Sequence, residues 1–246
     1  MVEAINRLAV FKYRRIWFAE EVPRLSVFDF VSLRQANEKL EKELNPKDWI
    51  ISEFSTLHTD LKEDEDSLFA KIAKNTKYKI NRAIKEGVKT ETTDLCEFLP
   101  FFNTFAPTKH LKPLSFRNLQ AYHSPIVFTK ATRDEDVFAM HAYIIDDVQT
   151  QPSRARLLYS ATVDRTKSDL DLNLIGRANR LLHWQDMLLF KQRGICIYDW
   201  GGICGDENNP DTAGIDAFKM AYGGVKVREP HFEHKKLLTL KKLLGR

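Results

Sequence analysis

Strict alternation, helical periodicity and polar gaps follow one another along this chain, and each change of period predicts an element. VFAMHAYIIDD (137–147) and ARLLYSATVD (155–164) alternate and read as two antiparallel strands joined by a polar turn, DVQTQPSR. Period two places Val137, Ala139, His141, Tyr143 and Ile145 on one face. A polar loop, DRTKSDLDLN, then leads into LIGRANRLLHWQDMLLFKQRG, an amphipathic helix whose apolar stripe is Leu174, Ala178, Leu181, Gln185, Leu188 and Leu189. Trp184 falls at the edge of that stripe and His183 opposite it, toward solvent. Gly194 stops the helix; ICIYDW is the succeeding strand, AGIDAFKMAY a short helix and GVKVREPHF a final strand.

Upstream the periods are shorter. WIISEFSTLHTDL is strand-like, and VSLRQANEKLEKELN reads as a helix ending at Asn45-Pro46. A second helix runs from about Ser67 to Gly87, with Phe69, Ile72, Ala73, Ile80, Ala83 and Ile84 on one face and Lys71, Lys74, Tyr78, Arg82 and Lys85 on the other. The plan is α+β, a mixed α/β arrangement, with a crossover from LLYSATV through the long helix to ICIYDW.

Composition adds bounds. With 246 residues and 43% hydrophobic content, the chain can bury one large core or two small ones. Lys and Arg number 38 against 34 acids, a formal charge of +4, which excludes a bulk DNA coat. The N-terminal stretch is broken by Glu3, Arg7, Lys12, Arg14 and Arg15, and no apolar run reaches membrane-span length, so a cytoplasmic protein without a span is expected. Cys96, Cys196 and Cys204 form no close pair, and the seven histidines are scattered, so no metal site is expected. There is no Gly-x-Ser-x-Gly elbow, P-loop, His-Glu-x-x-His or Gly-x-Gly-x-x-Gly, which leaves hydrolase, nucleotidase and zinc-peptidase chemistry without support.

Four local features carry candidate chemistry. In GICIYDWGGI (194–203) a strand meets an acid, a tryptophan and two glycines; Asp199 is read either at a cleft rim, accepting hydrogen bonds from an amine or sugar hydroxyls, or as a turn cap. Gly201 and Gly202 would keep the strand exit open to a substrate, with Trp200 beside it. NLIGRA (173–178) puts Asn173, Gly176, Arg177 and Ala178 at a helix start, where backbone N–H groups and the helix dipole favour a phosphate. The stripe bearing Tyr78 and Arg82 is a solvated face or an acidic-ligand contact. His141, on a central strand, titrates in the range that suits a base accepting an ammonium proton, or is a satisfied core histidine.

IYDWGGI followed by FKMAYGG, together with NTKYKINRAIKEGV and LLHWQDMLLFKQRG, resembles the signature of FemAB-like transferases, which are built on GNAT-type folds. NLIGRA is similar to the GNAT pattern Gln/Arg-x-x-Gly-x-Gly/Ala. The resemblance implies a GNAT-like central mixed sheet flanked by helices, an N-terminal part (1–110) that is a degenerate second GNAT-like half, and a catalytic part (111–246), the two making one compact unit. It implies an N-acyltransferase that moves an acyl or aminoacyl group to an amine of a cell-wall or surface-polysaccharide precursor. The donor would be a coenzyme A thioester or an aminoacyl-tRNA, attacked directly without a covalent enzyme intermediate. On the family's Phe-Lys motif Lys219 would stabilise an oxyanion or a carrier phosphate, and Tyr222 would protonate a departing thiolate. A non-catalytic sugar-nucleotide-binding module is the alternative.

Overall fold

The computed structural model describes residues 1–26, 28–146, 153–164, 171–204 and 210–245. The polar turn 147–152, most of the loop DRTKSDLDLN and the first four residues of DENNPDTAG lie outside them. In chain order the elements are β1 (Val2–Leu8), β2 (Phe11–Trp17), β3 (Val31–Arg34), α1 (Leu40–Glu43), β4 (Trp49–Ser52), β5 (Ser55–Asp60), α2 (Glu65–Lys71), α3 (Lys74–Lys85), β6 (Lys89–Thr93) and α4 (Leu95–Phe105). They continue with α5 (Phe116–Gln120), β7 (Ile126–Arg133), β8 (Asp136–Asp146), β9 (Arg154–Thr162), α6 (Leu172–Gln192), β10 (Ile197–Ile203), α7 (Pro210–Met220), β11 (Val225–Arg228), β12 (His231–His234) and α8 (Lys235–Leu243).

Two sheets result. The larger has the order β11-β5-β10-β9-β8-β7-β6 and is antiparallel except for β9 beside β10, the pair joined by the α6 crossover. The smaller has the order β1-β2-β3-β12-β4. This is the mixed α+β plan expected. Neither sheet follows the expected boundary at residue 110: β5 and β6 enter the larger sheet, and β12 returns to the smaller one.

The chain crosses between the sheets at two adjacent necks. WIISEFSTLHTDL is not one strand but β4 and β5, parting at Glu53-Phe54; GVKVREPHF is likewise β11 and β12, parting at Glu229-Pro230. Proline lacks the N–H a ladder needs, which ends β11 there, and Glu229 N–H donates to Phe54 O at 3.0 Å, tying the necks together.

Other expectations are corrected by packing. VSLRQANEKLEKELN forms β3 and the one-turn α1, because Val31 and Leu33 are needed in the small sheet's core with Ile16, Leu40 and Phe232. The single helix expected over 67–87 is broken: Ile72 and Ala73 are extended, so that Ile72 can bury and Ala73 N–H can reach Ala221 O at 2.8 Å. Ile84, expected on the apolar face, is exposed.

On β8, the expected face holds for Ala139, His141 and Tyr143 but not for Val137. The ladder to β7 slips one residue between Ala131 and Thr132, which makes Phe138 the extra residue and turns Val137 toward α4. In α6 the expected stripe is too narrow: Gln185, Leu188 and Leu189 are half-buried, while His183, Trp184, Asp186, Met187 and Phe190 are buried. α6 is covered on more than one side, by the sheet and by α3, so a single 3.6-residue stripe underestimates it.

Candidate functional site: a cationic cleft where β9 and β10 part

β9 and β10 pair over only three positions, Ile197 with Arg154, Tyr198 with Ala155 and Asp199 with Arg156. Beyond them each strand is deflected by its own irregularity. On β9, Tyr143 faces Leu157 and Ala142 faces Tyr159, so Leu158 is a bulge. On β10, the register against β5 shifts between Asp199 and Gly202. A bulge bends its strand and leaves backbone groups outside the ladder, so two opposed bulges open a parallel pair into a V.

Gly201 and Gly202 sit at the apex. Gly201 has φ +71°, a conformation costly for other residues, and a Cβ on it would lie 3.1 Å from Leu157 O. A Cβ on Gly202 would lie 2.8 Å from the Phe54 ring. The close approach the glycines permit is therefore made by the protein's own chain.

Asp199 is not at a rim; it is fully buried in the sheet. It accepts from Thr56 Oγ1 at 2.5 Å, Gly201 N–H at 2.9 Å and Gln35 Nε2 at 2.8 Å, with Arg154 Nη1 at 3.5 Å and His58 Nε2 at 3.6 Å. Burial alone would raise its pKa, but His58, Arg154 and Arg156 outweigh that and hold the carboxyl well below the usual range. Glu229 joins the network through a bidentate pair with Arg154 at 2.8 and 3.0 Å. His58, Asp199 and Glu229 offer oxygen and nitrogen atoms within 4.8 Å of one another, a spacing that would suit a cation. Gln35 Nε2 and Arg154 already donate to those oxygens, whereas His58 Nε2 is buried with no hydrogen-bond partner among the described residues.

Gln35 reaches this network from the small sheet at φ +46°, strained for a non-glycine residue. Its Nε2 donates to both carboxylates and its Oε1 accepts from Arg156 Nε. The strain is held in place by a fully used side-chain amide.

Around Arg156 residues of the two sheets meet in a cationic cluster. Alternation on β2 puts Tyr13, Arg15 and Trp17 on one face; the parallel register with β3 sets Ser32 opposite Arg15 and Arg34 opposite Trp17. β12 adds His231 and Glu233 to that face, and Glu233 is paired with Lys241. The larger sheet contributes Arg156, whose guanidinium lies 4.6 Å from the Trp17 ring, together with Tyr159 and, from the nearby chain, Tyr122.

The cleft has more cationic and N–H donors than acceptors. The Arg34 guanidinium makes no hydrogen bond or ion pair among the described residues, and burial and nearby Arg15 lower its pKa. Arg15 Nε, Trp17 Nε1 and Ser32 Oγ are buried with no partner at normal hydrogen-bond distance among the described residues; Arg15 Nη2 donates to the Tyr13 hydroxyl at 3.1 Å, and the Tyr122 hydroxyl, which Arg15 and Trp17 both influence, is the nearby acceptor. Arg156 is shifted down too, by burial, with Asp199 working against it. Burial pushes the Tyr159 hydroxyl up to about 12, so it stays protonated. Like charges gathered around orphaned donors are the arrangement an anion would complete.

Lys219, on α7, approaches the V from the other face. Its Nζ donates to Gly202 O at 2.6 Å, and burial, with a contribution from Arg156, lowers its pKa to about 8. Asp199, Gly201, Gly202 and Lys219 are thus brought together. The other sequence candidates are not. His141 is fully buried between β8 and α6, with Nδ1 2.7 Å from Asp186 and Nε2 2.9 Å from Asn179 Oδ1. Tyr222 is buried with its hydroxyl donating to Arg180 O at 2.9 Å, and Trp200, also buried, packs 4.5 Å from the Tyr222 ring and donates to Thr59 Oγ1.

His183, expected toward solvent, is buried in the same cluster, 4.0 Å from the His141 ring, with Nδ1 2.8 Å from the Tyr198 hydroxyl; burial first, then His141, holds its pKa well below the ordinary value.

At the start of α6 the phosphate expected on NLIGRA meets an occupied helix end. Asp171 caps it, accepting from Asn173 N–H at 2.8 Å, and Arg177 is held by Glu86 at 2.7 Å and Asp171 at 3.0 Å. Asn173 is exposed, Gly176 half-buried and Ala178 buried. Tyr78 and Arg82 lie exposed on α3, Arg82 paired with Glu86.

No protein-family model matches this chain, and no curated protein matches it. Solved structures do. FemX superposes with a TM-score of 0.68 over 99% of this chain and 86% of its own, at 10% identity. The fold is FemX-like. The C-terminal domain of a protein assigned as a lysylphosphatidylglycerol synthetase from Agrobacterium fabrum gives a TM-score of 0.60 at 11% identity, covering 99% of this chain and 83% of that one. L-PGS from Bacillus licheniformis gives 0.58 at 12% identity, with 99% and 86% covered.

The sequence reading did not find Arg15, Trp17, Arg34, Gln35, Arg156 or His231. The one signal present was Arg154 and Arg156 alternating with Ala155 and Leu157 in a strand with few other charges, a paired cost in a central strand that asks for a compensating site. No helix among the described residues is long and apolar enough to cross a membrane.

Proposed function

We propose that the chain is an acyl- or aminoacyltransferase whose acceptor carries an anionic group, held in the cleft by Arg15, Arg34 and Arg156 while its amine reaches the V between β9 and β10. The observation that carries this reading is the set of buried, unpartnered donors on β2 and β3 facing that V. The structural neighbours support a transferase of this general kind, and the name lysylphosphatidylglycerol synthetase describes an aminoacyl group joined to a phosphate-bearing molecule. A phosphate-bearing precursor of the cell envelope fits the same chemistry.

In this mechanism the acceptor nitrogen attacks the carbonyl of the carrier-bound acyl group directly. Charge develops on the carbonyl oxygen, and backbone N–H groups freed at the Leu158 bulge, together with the Lys219 ammonium, are the donors available to it. Lys219, with a pKa of about 8, is protonated at neutral pH yet acidic enough to pass its proton to the leaving oxygen or sulfur, and the amine so formed takes up the proton that the attacking nitrogen sheds as the amide forms. Asp199 is a positioning residue: its carboxylate fixes Arg154, Gln35 and, through Gln35, Arg156.

The capped start of α6 weakens the case for a coenzyme A pyrophosphate there, since the Asp171 carboxylate already takes the N–H that an anion would use and would repel it. An aminoacyl-tRNA donor is therefore favoured. The test is mass spectrometry of reactions pairing the purified chain with charged tRNAs, acyl-coenzyme A donors and phosphate-bearing amines. Transfer that disappears in Lys219→Met supports the proposal. Anion binding with no turnover for any pair would make the chain a binding module instead.

A further inference from the structure

His231 stands at the neck where the chain crosses between sheets, and its ring is fixed from two directions. Its face stacks on Phe54 at 4.2 Å and 25°, and its Nδ1 accepts the Gln35 backbone N–H at 2.9 Å. A nitrogen that accepts a hydrogen bond cannot carry the proton, so in the neutral ring the proton is on Nε2. Nε2 makes no hydrogen bond among the described residues and is not among the buried polar atoms left unsatisfied, so it faces accessible space.

The charged and titratable groups around the ring argue for the same state. Burial is the largest cause and Arg34, Arg156 and Arg15 add to it; only the Pro230 backbone favours the charged ring, no carboxylate is among its main influences, and the pKa falls to about 3. Gln35 N–H has its own reason to stay: Gln35 is locked by three side-chain hydrogen bonds into a strained backbone conformation and cannot turn away.

We propose that His231 is a fixed, neutral hydrogen-bond donor of the cationic cleft, its Nε2–H contacting an oxygen of the bound anion. This rests on the reading of the cleft as an anion site and goes further, by assigning the residue and the direction of its bond. With three guanidiniums, Trp17 Nε1–H and His231 Nε2–H converging, the site takes a group that offers several acceptor oxygens and no proton: a phosphoryl or diphosphoryl group in its fully ionised form. A carboxylate, with two oxygens, would satisfy fewer of them.

The test uses the full chain labelled with ¹⁵N at histidine, titrated with inorganic pyrophosphate and, separately, acetate. His231 is assigned by its loss in His231→Gln and independently by backbone correlation in the unchanged protein, so that a folding failure of the variant does not remove the test. The expected spectrum has His231 protonated at Nε2, constant from pH 5 to 8, with the Nε2–H resonance moving on pyrophosphate addition and much less with acetate. His231→Ala should weaken pyrophosphate binding roughly tenfold. Titration of the ring near neutrality, protonation at Nδ1, or pyrophosphate binding that leaves Nε2–H unmoved would overturn the proposal. No pyrophosphate binding at all would instead overturn the anion-site reading on which it stands.

Discussion

Lys219 is one ammonium on one short helix, and its environment makes a pH prediction. Because burial lowers its pKa to about 8, the protonated form needed for donation is lost as pH rises through that value, so turnover should decline above about pH 8. Lys219→Met should lower kcat by roughly 10²- to 10³-fold, read by transfer assays at fixed substrate. His231 gives a stability prediction of opposite chemistry. Its pKa is about 3 folded and near 6.5 unfolded, so below pH 6.5 the unfolded chain binds a proton that the folded one does not. Folding stability should therefore fall as pH drops from about 6.5 toward 3, and His231→Gln should flatten that slope in denaturant titrations across pH. Gly202→Ala tests the apex: its methyl meets the Phe54 ring, and a loss of about 1–3 kcal/mol is expected, relieved by Phe54→Leu in the same chain. Of these residues Lys219 and Gly202 stood out in the sequence because they lie in one motif-bearing segment. His231 did not, because its role is fixed by Gln35, 196 positions away.

Among the elements, β8, β9, α6 and β10 were legible because each is long and sustains its period. What the pattern could not show were the interruptions. The bulges at Phe138 and Leu158 add one residue without changing composition, and the break at Ile72-Ala73 has neither glycine nor proline to announce it. The start of α6 shows the same limit: NLIGRA has the small residues a phosphate loop needs, but the acid that occupies the helix end is Asp171, two residues before the motif. Removing that cap by Asp171→Ala should lower stability slightly in thermal or chemical unfolding. If α6 is not the carrier site, acyl transfer should survive the change nearly intact.

Over the whole molecule, function depends on a juxtaposition that no single stretch encodes. β2, β3, β9 and β12 each bring one or two polar residues to a face that looks ordinary alone; stacking the two sheets converts them into a cluster of guanidiniums with buried donors unmet. Sequence reading singled out the paired glycines at the strand exit and Lys219, and read Asp199 either at a cleft rim or as a cap of the following turn; it does accept the Gly201 N–H, but nothing local revealed that Gln35, Arg154 and His58 would enclose it. If the cluster is an anion site, it carries a cost without its ligand: Arg34→Gln should raise the melting temperature of the free protein while weakening anion binding, by removing a buried like charge.

Calorimetric titration of the unchanged protein and of Arg34→Gln with inorganic pyrophosphate, at two salt concentrations, tests the central claim that the space between the sheets is an anion site. The unchanged chain should bind one pyrophosphate, with affinity that falls as salt rises, and Arg34→Gln should bind at least tenfold more weakly. Absence of binding, or equal affinity in the two proteins, would contradict it.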